Sequence, residues 1–204
     1  MPMFPLGAVL LPGSMMPLHV FEPRYRQMII DCLDQDGEPE FGQTLITHGQ
    51  ETGGGDQRAM VGTVAKMVEV EAIDASRYAL IAVGARRIKV EEWLTDDPYP
   101  VADVVDWLDE KPNLAGLAER IAAMSDRVRI CRELAARLGT PGGDSSRVTI
   151  SEDPVVATYN LAAIAPVGPA DRLRLLSSPG PSTRLDLLEE ILDDVEAMLK
   201  FRLS

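Results

Sequence analysis

Along the first half of the chain, short runs of Val, Ile and aromatic residues alternate with Gly, Asp and Pro. Phe41 to Thr47, Met60 to Ile73, Tyr78 to Val83, Ile88 to Trp93 and Val101 to Trp107 have the composition of strands bounded by turns. In VAKMVEVEAI (64–73) apolar and polar positions partly alternate, the period of a half-buried antiparallel strand. His19 follows Pro17-Leu18 in a further strand-like stretch, on its surface side. One helical pattern interrupts this region: Pro23 suits a first helical position, and Tyr25, Met28, Ile29, Cys32 and Leu33 share one face. Strands of this number, joined by turns, predict a small barrel or closed sheet.

After Lys111-Pro112 the period changes. Leu114, Leu117, Ile121, Met124, Val128, Cys131, Leu134 and Leu138 recur at steps of three or four, predicting a helix of about six turns that Gly139 caps. Asp153-Pro154 reads as an N-cap and first position for a helix to about Ile164. Pro169 opens a shorter helix, and Ser182 is expected to cap a last one with acidic residues early and Lys200 and Arg202 late. The polar stretches QETGGGDQRA (50–59) and GTPGGDSS (139–146) read as loops. The expected plan is α+β: a β-rich subdomain over 1–110 with one inserted helix, then a helical bundle over 111–204.

Composition narrows the function classes. Apolar residues make up 46% and charged residues 25% of the 204 positions, as in ordinary globular proteins. No apolar run approaches the roughly 18–20 residues of a membrane span, and no secretory signal pattern opens the chain. Cys32 and Cys131 lack a C-x-x-C neighbour, so a cytoplasmic setting with reduced thiols is expected and a disulfide is not. The net charge of −12 argues against nucleic acid and anionic membranes as partners. His19 and His48 are the only histidines and show no metal-ligand spacing, so no metal or cofactor is expected. The four lysines, Lys66, Lys89, Lys111 and Lys200, follow Ala, Ile, Glu and Leu; none follows Gly, so no Walker A motif exists here.

The opening FPLGAVLLPGSMMPLHVFEPRYRQMI (4–29), FG at 41–42, VGTVAKM at 61–67, GARRIKV at 84–90, PYPVADV at 98–104 and LLSSPGPSTRLDLLEEIL in the helical part together resemble the N-terminal domain of the Lon protease family. The resemblance spans almost the whole chain. It implies a PUA-like β-barrel subdomain followed by a helical bundle. It also implies a substrate-binding module, whose family partners hydrolyse ATP and cut peptides in separate domains. Because the chain ends where such a module ends, neither Walker A nor the Ser–Lys protease dyad is expected in it, and the expected protein is not an enzyme. Stand-alone versions of the module occur in bacteria.

The resemblance thus points to a cytoplasmic, non-catalytic protein-binding module acting on unfolded or specific protein clients, with a separate protease as a further partner. Alternative readings are a PUA-like RNA-binding protein or a small-molecule sensor. Two groups of residues stand out. Leu10, Leu11, Met15 and Met16 surround a Pro-Gly turn and are expected to leave apolar surface for a protein partner. Glu22, Pro23, Arg24, Tyr25 and Arg26 form a polar cluster that reads as a corner of the fold, with Glu22 at a helix N-terminus and Arg26 within ion-pair reach of it.

Overall fold

The computed structural model describes residues 1–51, 55–74, 76–139 and 150–203. The glycines at 53–54 and most of the expected loop 139–146 lie outside these residues. The chain divides into two compact units, Met1–Leu108 and Asp109–Ser204.

The first unit is built on six strands, β1 (Met3–Leu6), β2 (Met15–Val20), β3 (Glu40–His48), β4 (Gln57–Asp74), β5 (Arg77–Trp93) and β6 (Ala102–Asp106), and one helix, α1 (Pro23–Leu33). The strands run in the order β1-β3-β4-β5-β2, with β6 also on β5. Among the described residues only β1 and β3 pair in parallel. The expected barrel is not closed: a single bridge, Pro2 to Val101, brings β1 to the start of β6 without a ladder. β5 is one continuous strand where the sequence suggested two. It survives the Gly84-Ala85 interruption because Ala85 is a bulge: Val64 pairs with Arg86 and Ala65 with Gly84. A bulge bends a strand and increases its twist. The first half of β5 can therefore serve β2 and the second half β6.

The core of this unit joins Phe4, Leu10, Val20, Phe41, Ala65, Met67, Leu80 and Ala82 to the buried face of α1, namely Tyr25, Met28, Ile29 and Cys32. Leu33, expected on that face, is 45% exposed, because the helix ends there and its last turn diverges from the core. On the surface, Arg86 forks both of its terminal nitrogens onto Glu40 at 2.9 Å and gives Nε to Asp106 at 2.9 Å. The hydrogen bonds from Arg86 outweigh burial and hold the Glu40 carboxyl below its ordinary value near 4.5. A depressed folded-state value contributes stability above the unfolded value and loses it as pH falls through the folded one. Thermal melts from about pH 5 down to about pH 3 should therefore fall more steeply for the native chain than for Arg86→Met. Parallel curves would exclude a contribution from this pair.

The second unit holds α2 (Leu117–Arg137), α3 (Pro154–Ile164), α4 (Pro169–Leu176) and α5 (Pro181–Leu203). Leu114 lies outside α2 and is 67% exposed, since the helix starts only after Gly116 in a left-handed conformation (φ 68°). Asp153 caps α3 as expected, its Oδ1 accepting from the N–H groups of Val155 (2.8 Å) and Val156 (3.2 Å). α5 starts at Pro181 rather than behind a Ser182 cap, and its first turn carries no acid. α3 is buried from Ala157 through Ala162, on all sides, so it is the central helix of the unit. Against it lies Arg184, with no exposed surface. Its guanidinium donates to Thr158 Oγ1 (2.8 Å), Leu175 O (3.2 Å) and the Asp109 carboxylate, and stands 3.5 Å over the Tyr159 ring. The Tyr159 hydroxyl donates to the other Asp109 oxygen at 2.9 Å.

Candidate functional site

The loop from Gly7 to Ser14 is held down by side chains acting as backbone partners. Gln43 of β3 accepts from Leu10 N–H (2.8 Å) and donates to Ala8 O (2.7 Å), while Thr63 of β4 donates to Leu10 O (2.7 Å). Gly13 N–H donates to Gly84 O, and Gly84 N–H to Ser14 O. A Cβ at Gly84 would fall inside contact distance of the Leu11 carbonyl, so glycine is required at this crossing. Leu10 and Leu11 are in consequence each 1% exposed. This corrects the expectation that they form an open apolar surface: with both polar groups of Leu10 satisfied internally, the loop packs its leucines inward.

Met15 and Met16 leave that loop as the start of β2, where successive side chains take opposite faces. Met16, Leu18 and Val20 turn to the core, and Met15, Pro17 and His19 turn outward, Met15 being 47% exposed. β2 pairs only with β5, which makes it an edge strand, and Pro17 is tolerated there because an edge leaves one side of the strand unpaired.

The polar cluster that follows makes internal contacts. Glu22 caps α1 through its backbone alone, its carbonyl accepting from Arg26 N–H at 3.0 Å. Its carboxylate takes Arg24 Nε at 3.1 Å, not the i+4 partner that spacing suggested. Arg24 also donates to Glu51 O (3.3 Å) and lies 4.6 Å above the Tyr25 ring. Tyr25 is core, stacked on Phe4 at 4.2 Å, and burial pushes its hydroxyl up to about 12.

Beside these features lies further apolar exposure. Phe21 is 59% exposed at the end of β2, and Ile73 is 48% exposed near the tip of the β4–β5 hairpin. With His19, Val20 and Arg77 they line a depression of about 490 Å³. A second, of about 330 Å³, runs over Pro17, Leu18 and His19 to Ala79, Leu80 and Ile81, with Glu69, Val70 and Glu71 at its far side. His19 lines both, so the two adjoin. Sequence reasoning missed Phe21 and Ile73. Phe21 gave a signal, a large apolar residue directly before a helix cap; Ile73 gave none, because its outward turn comes from a bulge between Ala72 and Asp74.

The site holds little reactive chemistry. Burial pushes the Cys32 thiol up to about 11 and raises that of Cys131, the opposite of an activated nucleophile. Among the described residues no group of three or more His, Cys, Asp or Glu is placed to hold a metal ion. No helix among them is long and apolar enough to cross a membrane.

Comparison with known proteins follows the same lines. The model of the "ATP-dependent protease La (LON) substrate-binding domain" matches residues 1–194. A Lon N-terminal domain protein from Xanthomonas campestris superposes with a TM-score of 0.67 at 23% identity, over 93% of this chain and 96% of the other. The N-terminal domain of the Lon protease of the Mycobacterium avium complex gives a TM-score of 0.68 at 16% identity, over 95% and 97%. At such identities the structures show a shared fold, and the family model carries the membership. This chain belongs to the Lon substrate-binding domain family.

Proposed function

We propose that this chain binds unfolded or loosely folded protein segments by burying their apolar side chains in the groove around His19, between Phe21 and Ile73. It does so as an adaptor that presents clients to a separate protease in the cytoplasm. The observation that carries this reading is the exposure of Phe21 and Ile73 in the lining of one depression, next to an edge strand. Exposed apolar residues gathered in one concave place mark a contact surface, whereas scattered ones carry no meaning. Met15, on the same outward face of β2, extends the surface along the strand. The two buried free thiols agree with a reducing compartment.

Phe21→Asp combined with Ile73→Asp should weaken binding of a permanently unfolded, carboxymethylated model protein at least about tenfold, equivalent to roughly 1.4 kcal/mol. The melting temperature should stay close to that of the parent, because neither side chain belongs to the core. Met15→Asp should give a smaller loss in the same direction. Fluorescence anisotropy with labelled client measures all three. Undiminished affinity in the double variant would place the contact elsewhere.

A further inference from the structure

The groove carries charge as well as apolar surface. Strand register lays out its floor and far wall: Pro17 is opposite Ile81, which is opposite Glu69, and in the next row His19 is opposite Ala79, which is opposite Glu71. Ile81 and Ala79 are half-buried, so the floor is apolar, while Glu69 and Glu71 are exposed along one side. A bulge between Met67 and Glu69 sets this phase and turns Val68 outward as well, to 59% exposure.

The cations of this neighbourhood already have partners. Lys66 is paired with Glu38, Arg77 with Asp74 at 2.6 Å, and Arg86 with Glu40 and Asp106. No ion pair among the described residues engages Glu69 or Glu71. The groove thus combines an apolar floor with two uncompensated carboxylates, in a chain of net charge −12. Complementary charge selects partners and speeds encounter, and like charge in the wrong partner is rejected.

Resting on the groove assigned above, we infer that its occupant is an extended segment in which apolar residues alternate with lysine or arginine. The apolar side chains settle on Pro17, Ala79 and Ile81, and the cationic ones reach Glu69 and Glu71. Acidic segments of equal hydrophobicity are discriminated against.

Three labelled peptides of equal length test this on the whole chain by anisotropy at low salt: alternating Leu-Lys, Leu-Ser and Leu-Glu. Leu-Lys should bind about tenfold or more tightly than Leu-Glu, from two exposed charge pairs that attract the one peptide and repel the other, with Leu-Ser between them. Glu69→Gln with Glu71→Gln should compress that ratio to about twofold while leaving the Leu-Ser affinity and the melting temperature unchanged. The double variant is decisive, since the overall negative charge would favour a basic peptide anywhere on the surface. A ratio that persists in it, or equal binding of Leu-Lys and Leu-Glu to the parent, overturns the charge inference and leaves the apolar groove standing. If none of the three peptides binds, the groove assignment itself fails, and this inference with it.

Discussion

Arg184→Met should cost the helical unit about 3–5 kcal/mol, the range for removing one partner of a buried ion pair. For a unit of this size that is a fall in melting temperature on the order of 15 °C or more. Arg184 has no exposed surface, and the side chain of Asp109 is 13% exposed. The methionine takes the guanidinium from one oxygen of the buried Asp109 carboxylate, whose other oxygen keeps the Tyr159 hydroxyl, and removes the cation from over the Tyr159 ring. It also removes one donor each from Thr158 Oγ1 and the Leu175 carbonyl, although Thr158 Oγ1 still donates to Val155 O at 2.8 Å and Ser178 Oγ to Leu175 O at 2.7 Å. Circular dichroism at 222 nm reports this unfolding, since four of the five helices among the described residues lie in this unit. Adding Asp109→Leu should restore part of the loss, because it removes the carboxylate that Arg184→Met leaves buried without the guanidinium. Two single losses that simply add, within about 0.5 kcal/mol, would show that the pair is not coupled.

The second large effect is expected at Gln43. Gln43→Leu keeps the side-chain volume but removes the partners of Leu10 N–H and Ala8 O. A buried polar group left alone costs about 1–3 kcal/mol; Leu10 N–H is such a group, whereas the exposed Ala8 can take water instead, so a loss of about 1–3 kcal/mol is expected in the sheet unit. Trp93 and Trp107 both lie in that unit and make its urea unfolding visible by fluorescence. The variant should also become sensitive to protease between Gly7 and Ser14, which a general destabilisation would not confine to one loop. Gly84→Ala tests the same crossing from beneath, by forcing the Leu11 carbonyl away. An unchanged midpoint and cutting pattern in Gln43→Leu would mean that the leucines alone anchor the loop.

These two positions show how differently the sequence speaks of the two units. Arg184 opens R-L-x-x-L, one of the segments that resemble the Lon family, yet nothing in an arginine on a helix announces complete burial. Gln43 sits among Phe41, Gly42, Thr44 and Leu45 and looks like the polar phase of a strand; its partners are 33 and 35 residues away. Periodicity reports which face of an element is apolar. It cannot report which polar side chain will take the place of a missing backbone partner, because that depends on a crossing of distant segments.

The same limit explains the candidate site. Leu10 and Leu11 were legible as apolar and wrongly expected at the surface, because a Pro-Gly turn normally lies in solvent and only Gln43, Thr63 and Gly84 draw this one inward. Met15 was legible, and its exposure follows from strand alternation once the start of β2 is fixed. Val68 and Ile73 were not, since each lies at a bulge, and a bulge changes the phase without changing composition.

By itself, the sequence determined the α+β character, the entry of α1 at Pro23, the Asp153 cap of α3 and membership of the Lon substrate-binding family. These rest on local hydrogen-bond chemistry, side-chain period and a long motif, all written in consecutive residues. Tertiary structure alone decided that the sheet stays open, that β2 is its edge, that Leu10 and Arg184 are core, and that Phe21 and Ile73 border one depression and Glu69 and Glu71 the one adjoining it. Those depend on register and bulges between strands far apart in the chain, where a shift of one residue moves a side chain from core to solvent.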